Sequence, residues 1–422
     1  MEVRMATTSQ EPPAARAFGM KAETGRWIFV ALGLIIQLCL GAVYSWSIFV
    51  KPLQTDFNYS AMGVLLPYMI FLALFAITMP FGGRFIQRFG PRLVCGVGGA
   101  LTGLGWILAG FANSLPLLCL TYGVIGGIGV GLAYGAPIQV STRWFPDRKG
   151  LAVGLTVGGF GLSALVIVNL GTSLINSFGV LHTFTYLGIA FLIISVLLSL
   201  LLRFPSPSWK PQGWKPATKG ATAVITDFSS SAMVKTKSFW GLWACFTIGA
   251  LAGLMAIGIA KPAGQEIVLV SAATATTLTS VFAIFNGGGR PIFGWLTDKI
   301  TPRYTAVISF VLIGLGSFGM LFAGANTTAL YVICFAFFYL ALGGWLAIAP
   351  TATVSFFGPK YNSVNYGIVF TAYGVGAVVG NIISGMSKEI YGSYVNAFYY
   401  TAGLAILGLI LAIFLLRQPK AG

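Results

Sequence analysis

Long apolar runs separated by short polar loops set the pattern of this chain. Twelve such runs occur, at roughly 27–50, 61–83, 93–112, 116–142, 150–172, 182–203, 238–260, 273–296, 304–324, 328–352, 363–386 and 394–416. A helix that crosses a bilayer needs about 20 mostly apolar residues, so each run predicts a transmembrane helix. Connections are short except for 204–237, "FPSPSWKPQGWKPATKGATAVITDFSSSAMVKTK", which is rich in Pro, Ser and Lys. It divides six helices from six. The expected organisation is a tail over 1–26, a six-helix bundle over 27–203, a linker over 204–237, a second bundle over 238–416 and a short tail over 417–422. Residues 1–26 lack the apolar core of about 7–15 residues that a cleaved signal requires. They are expected to form a mobile cytosolic tail.

Composition turns this pattern into a fold class. The chain is 57% hydrophobic and only 8% charged, against about 25% charged in soluble domains. There is too little polar surface to cover a globule in water. The class is therefore all-α integral membrane, with 12 transmembrane helices. The net charge of +16, from 25 Lys and Arg against nine acids, points to nucleic acid only until the charges are located. Cations fill the N-terminal tail, loop 2–3 (Arg84, Arg88, Arg92), loop 4–5 (Arg143, Arg148, Lys149), the linker, loops 8–9 and 10–11, and the C-terminus. The other side is expected to hold only Lys51, Lys261 and Lys388. Cytosolic loops keep the excess of Lys and Arg, so both termini are expected in the cytosol of a cell (inner or plasma) membrane. The charge is a topology signal, and no nucleic-acid partner is expected. All nine acids are expected in tails or loops. Cys39, Cys95, Cys119, Cys245 and Cys334 each lie in an apolar run, with no C-x-x-C pair. They read as small hydrophobes, so no disulfide framework or metal site is implied. His182 reads as a loop or cap residue.

The two halves are related. "MPFGGRFIQRFGPR" (79–92) and "RPIFGWLTDKITPR" (290–303) align at a shift of 211 residues, pairing Pro80 with Pro291, Gly83 with Gly294, Arg88 with Lys299 and Pro91-Arg92 with Pro302-Arg303. "RWFPDRKG" (143–150) and "SFFGPKYN" (355–362) match more weakly. Matches at equivalent loops argue for two pseudo-symmetric six-helix bundles. Parallel repeats of this kind place a substrate site between them, near the bilayer midplane.

Arg290 lies inside an apolar run with no acid beside it, after "NGGG" (286–289) and before Pro291. Inserting such a charge costs at least ~2.5–3.5 kcal/mol, and residues of this kind usually face a cavity. The competing reading is a side chain that snorkels to the cytosolic interface, about six residues or 9 Å away. Its planar donors suit a carboxylate. Asn286, one turn earlier on the same face, is placed to donate to a carboxylate oxygen or a 2-hydroxyl. At ~1.5 Å per residue, Tyr134 in helix 4, Tyr373 in helix 11, Leu38 in helix 1 and Leu155 in helix 5 fall in a similar band of depth, and Tyr339 in helix 10 lies near mid-span. Tyrosines are candidates for completing the carboxylate's hydrogen bonds and leucines for touching a short aliphatic tail, with helix packing as the alternative for each. Tyr44, Tyr68 and Trp345 are weaker candidates. The 55 glycines, about twice the ordinary share, allow close helix crossings. "GGIGVG" (126–131) lacks the strand–helix setting of a nucleotide loop. No cluster of nucleophile, base or metal ligands sits at depth, so an enzyme is not expected and no cofactor is implied.

The pattern G-x-x-x-D-R/K-x-G-x-R in loops 2–3 and 8–9, with the six-plus-six layout, resembles the major facilitator superfamily. The first copy departs from it, with Gln87 where the family usually has Asp, whereas the second keeps Asp298. Within that superfamily, "GAVYSWSIF" (41–49), "RWFPDRKGLA" (143–152), "NGGGRP" (286–291) and "NYG" (365–367) resemble the monocarboxylate-porter group and the bacterial oxalate/formate antiporter. The resemblance implies a secondary active transporter that works by alternating access as a monomer among membrane lipids. It also implies a proton as co-substrate. Animal monocarboxylate porters carry an acid at the position of Asn286, so a simple Asp–Arg proton switch is not expected here. Oxalate-exchanging relatives carry a lysine seven or eight residues after N-Y-G, where this chain has "GIVFTAYGVG" and no cation. A lone buried cation neutralises one carboxylate, so lactate or pyruvate is expected rather than a dianion. The alternative is an organic-anion exchanger of the oxalate/formate type.

Overall fold

The computed structural model describes residues 16–206, 209–211 and 227–419. Expectations placed on residues 1–15 and on most of the linker lie outside the described residues. Among the described residues, eleven helices are long and apolar enough to cross a membrane, and one of them, Ala272–Leu321, is two helices joined at Thr301. The chain therefore has twelve spans. They are α1 (Ala22–Ser45, extended by Ser47–Phe57), α2 (Gly63–Phe89), α3 (Pro91–Ala109), α4 (Leu115–Trp144), α5 (Gly150–Phe178) and α6 (Val180–Ser199) in the first half. The second half has α7 (Lys237–Ile267), α8 (272–300), α9 (302–321), α10 (Thr328–Phe357), α11 (Val364–Tyr391) and α12 (Tyr394–Leu415). A two-residue hairpin, β1 (Arg16–Ala17) with β2 (Met20–Lys21), precedes α1.

The internal repeat is visible in the backbone. α3 and α9 both start on proline, Pro91 and Pro302, whose fixed φ suits a first helical turn. The residue before each must turn the chain sharply. Gly90 does so at φ 82°, ψ 165°, and Thr301, at the matching repeat position, adopts φ 79°, ψ 155°. That region is open to glycine and costs a residue with a Cβ of order 1–3 kcal/mol.

Helices run further than the apolar runs that announced them, and two expectations are corrected as a result. Lys261 is not in a loop. It lies within α7, which passes through Pro262 and ends at Ile267, and it is 8% exposed. Nor do all acids avoid the helices: Glu266 is in the last turn of α7, Asp298 is in α8 and Glu389 is in α11. Hydropathy falls at the first charge, but backbone hydrogen bonding continues through it, and so does the helix. His182 sits in the first turn of α6, with Nδ1 3.0 Å from the Phe178 carbonyl. All five cysteines are unpaired.

The halves meet along two seams, α5 against α8 and α2 against α11. Leu104, Leu108, Leu197, Leu315 and Phe414 project outward, as a lipid-facing surface requires. At the end that carries the cationic loops, Arg26 braces the first half. Its guanidinium grips Asp147 through two bonds of 2.6 and 2.7 Å and donates to the Trp144 carbonyl at 3.1 Å. The hydrogen-bonded guanidinium holds the Asp147 carboxyl below the ordinary value of 3.8.

Candidate substrate site between the halves

Three consecutive glycines let α8 wedge between neighbours on two sides. A side chain at position 287 would come within 2.8 Å of Leu162 on α5. One at position 289 would meet the Leu340 carbonyl and, at 3.2 Å, Gly343 on α10. Backbone therefore packs on side chain and on backbone, and the residues flanking the glycines are driven into the seam between the halves. Those residues are Asn286 and Arg290.

Arg290 is 5% exposed, so it does not snorkel to the interface. Its Nη1 donates to the Val157 carbonyl of α5 across the seam, at 2.7 Å. Nε and Nη2 are buried and complete no hydrogen bond of good geometry, with the Tyr134 hydroxyl lying beside the guanidinium. No acid pairs with it among the described residues. Phe160 lies 5.9 Å from the guanidinium carbon, and the arginine charge acts on the hydroxyls of Tyr134 and Tyr44. Asn286 is fully buried. Its Nδ2 donates to the Tyr339 carbonyl at 3.4 Å, which leaves Oδ1 as an unused acceptor over Gly161 of α5. Asn286 thus keeps a second Nδ2 N–H beside its unpartnered Oδ1.

The structure distributes the other expected residues unevenly. Tyr134 is 5% exposed, and its carbonyl accepts from Gln37 Nε2 at 2.9 Å. Tyr373 pairs hydroxyl to hydroxyl with Tyr44 across the halves at 2.8 Å, which moves Tyr44 up from a weaker candidate. Tyr339 presents its carbonyl to Asn286, and its own buried hydroxyl has no partner. Leu38 is half-buried and its carbonyl accepts from Ser163 of α5 at 2.6 Å. Leu155 is 43% exposed and lies away from this packed centre. Tyr68 donates to the Leu254 carbonyl at 3.4 Å, nearer the opposite face. Trp345 packs inside the second half, between Phe246 and Phe310.

Phenylalanines that no polarity signal marks complete the centre. Phe75 on α2 lies 5.2 Å from Tyr134, 5.8 Å from Phe160, 5.4 Å from Phe370 and 5.8 Å from Tyr373, measured between ring centroids. Phe370 stacks on Tyr373 at 4.9 Å, and Phe246 of α7 closes the far side at 6.0 Å from Phe370. Rings from α1, α2, α4 and α5 thus meet rings from α7 and α11 around one guanidinium. Excluding water there strengthens any charge pair that forms. Two N–H donors in one plane suit a carboxylate. Among the described residues no group of three or more His, Cys, Asp or Glu is placed to hold a metal.

Comparison with known proteins shows the family. The family model described as Major Facilitator Superfamily matches residues 33–263 and 250–422. The chain is 30% identical over 400 residues to the oxalate:formate antiporter of Oxalobacter formigenes, covering 94% of this chain and 92% of that one. It is 25% identical to monocarboxylate transporter 12-B of Danio rerio, covering 92% of this chain and 86% of that one. A bacterial homolog of the human lysosomal transporter Spinster, solved inward-facing and unoccupied, shares the fold with a TM-score of 0.70 at 15% identity, covering 94% of this chain and 98% of that one. The chain is a multi-pass membrane transporter, not an enzyme, and belongs to the Major Facilitator Superfamily.

Proposed function

We propose that this transporter carries short monocarboxylates, lactate or pyruvate, together with a proton, by alternating access. One observation carries the reading: a buried arginine on the seam between the halves has two in-plane donors without a well-formed hydrogen bond and no acid to pair with. A carboxylate takes Nε and Nη2 side-on, while Nη1 keeps its bond to Val157. Substrate binding and approach of α5 to α8 then share one side chain. Neutralising the guanidinium lowers the cost of closing aromatic walls over it. Asn286 Oδ1 accepts a hydrogen bond from a 2-hydroxyl, which favours lactate over pyruvate. Tyr134, Tyr339 and the Tyr44–Tyr373 pair supply the remaining polar contacts, and Leu38 an apolar one.

Arg290 is the only cation at this centre among the described residues, so one carboxylate is matched and a dianion is left half-neutralised. The proton travels on the substrate's own carboxylate or across the tyrosine hydroxyls. The cationic loops face the cytosol of a plasma or inner membrane, and a single chain holds the whole site. Organic-anion exchange is the second reading, favoured by the likeness to the Oxalobacter antiporter. Proteoliposome uptake with a panel of C2–C6 acids, with and without a pH gradient, separates the two. Lactate and pyruvate uptake driven by an inward proton gradient is expected. Exchange that needs internal anion and ignores the gradient would establish the second reading instead.

A further inference from the structure

The tripeptide "NYG" (365–367) is a feature of the sequence that the Arg290 site does not use. It lies near the start of α11, at the end that carries the cationic loops, and its outer two residues are fixed in place. Asn365 is fully buried. Its Nδ2 donates to the Phe228 carbonyl at 3.0 Å, and its Oδ1 accepts from the Ser230 hydroxyl at 2.8 Å. The Phe228 amide in turn donates to the Phe357 carbonyl, at the end of α10, at 2.9 Å. The first turns of α11 are thus clamped to the segment that leads into α7. Gly367 is buried against the other half, where a Cβ would lie 2.9 Å from Pro80 of α2. Glycine at that position lets the two halves touch.

Tyr366 stands between the clamp and the contact. With Phe370 and Tyr373 it follows at i, i+4 and i+7, on one face of α11. The Phe370 ring lies 5.7 Å from that of Tyr366, 5.4 Å from Phe75 and 6.4 Å from Tyr134. This face is therefore the one that meets the first half. The phenol is turned toward the centre, where the Arg290 charge and the hydroxyls of Tyr134 and Tyr44 act on it. Tyr366 lies seven residues before Tyr373, so it is about 10 Å nearer the cationic loops than the Tyr44–Tyr373 bond, at ~1.5 Å per residue. Its ring sits on the way from the Arg290 centre to that face of the membrane.

We propose that Tyr366 is the gate of the Arg290 site on the cationic-loop side, with its ring covering the site when the halves meet at Pro80 and Gly367. A ring that packs across the seam only in the closed arrangement stabilises that arrangement alone. Removing it favours opening at this end, while the polar bonds at the opposite end are untouched. The site it covers rests on the carboxylate reading of Arg290.

The test uses the full-length protein in nanodiscs, without substrate, and reads spin-label distances between the cationic-loop ends of α2 and α11. Lactate counterflow in proteoliposomes is the second readout. Tyr366→Ala is expected to raise the population open at that end at least fivefold and to slow counterflow at least tenfold. Tyr366→Phe keeps the ring and is expected to return both readouts to within twofold of the unsubstituted protein. Tyr366→Leu replaces the alanine variant if the latter fails to accumulate. Unchanged distances in Tyr366→Ala, or distances in Tyr366→Phe as wide as in Tyr366→Ala, would overturn the gate. Because the distances are read without lactate, they stand apart from the carboxylate reading. Wild-type counterflow by Arg290→Met would sink that reading and leave the gate standing.

Discussion

The two ends of the interface between the halves are built differently. Away from the cationic loops, polar bonds cross it: Lys51 to Glu266 at 2.9 Å, the Met62 amide to Glu389 at 2.8 Å, and Asn169 to Ser280 at 2.8 Å. Toward the middle come Tyr44 with Tyr373 and Arg290 with Val157. At the end with the cationic loops, no hydrogen bond or ion pair joins the halves among the described residues. There α2 and α11 touch at Pro80 and Gly367, where a side chain at 367 would lie 2.9 Å from the proline ring. The polar groups at this end are spent within one half, as in the Arg26–Asp147 brace. One end is therefore fastened by bonds that must break for it to open, and the other is held by shape alone. Among the described residues, opening the cationic-loop end breaks no polar bond between the halves, whereas opening the other end breaks several.

That contrast can be attacked from the middle outward. Arg290→Lys keeps the charge and loses the planar fork, so it tests the fork where the fastened end meets the site. Lactate uptake in proteoliposomes is expected to fall 10- to 100-fold, about 1.4–2.7 kcal/mol. Breaking the brace at the unfastened end with Asp147→Asn should lower the stability of the protein in thermal unfolding by about 2 kcal/mol, without shifting the balance between open states. The brace also fixes a pH dependence. Asp147's folded value lies below its unfolded value of 3.8, so its contribution is full above that pH and is lost as pH falls through the lower folded value.

Smaller effects sharpen the same picture. Asn286→Leu removes the unused acceptor and should reduce the preference for lactate over pyruvate about tenfold, or ~1.4 kcal/mol, read as the ratio of their uptake efficiencies. Thr301→Gly should relieve the strained turn between α8 and α9 and raise thermal stability by about 1 kcal/mol. Glu266→Gln unfastens Lys51 from the second half. The pair is partly exposed, so it is worth about 0.5–1 kcal/mol. A two- to five-fold shift toward states open at that end is expected from spin-label distances between α1 and α7.

Much of the fold was legible because the bilayer imposes a simple rule on length and hydropathy. The same rule exposed Asn286 and Arg290, since polar side chains in an apolar run must have a reason to be there. What stayed hidden follows from the same physics. Phe75, Phe160, Phe246 and Phe370 look like any of the 33 phenylalanines, because a ring facing substrate and a ring facing lipid have the same hydropathy. Counting residues gives height but not azimuth, so Leu155 shared a depth with Leu38 and yet lies away from the packed centre. Lys261 was hidden by Pro262, which reads as the end of a helix that in fact continues to Ile267.

Counterflow of labelled lactate by Arg290→Ala in proteoliposomes bears most directly on the central claim. The account predicts no saturable exchange above protein-free vesicles, from a variant that still purifies as a folded membrane protein. Exchange with the rate and KM of the unsubstituted protein would contradict it.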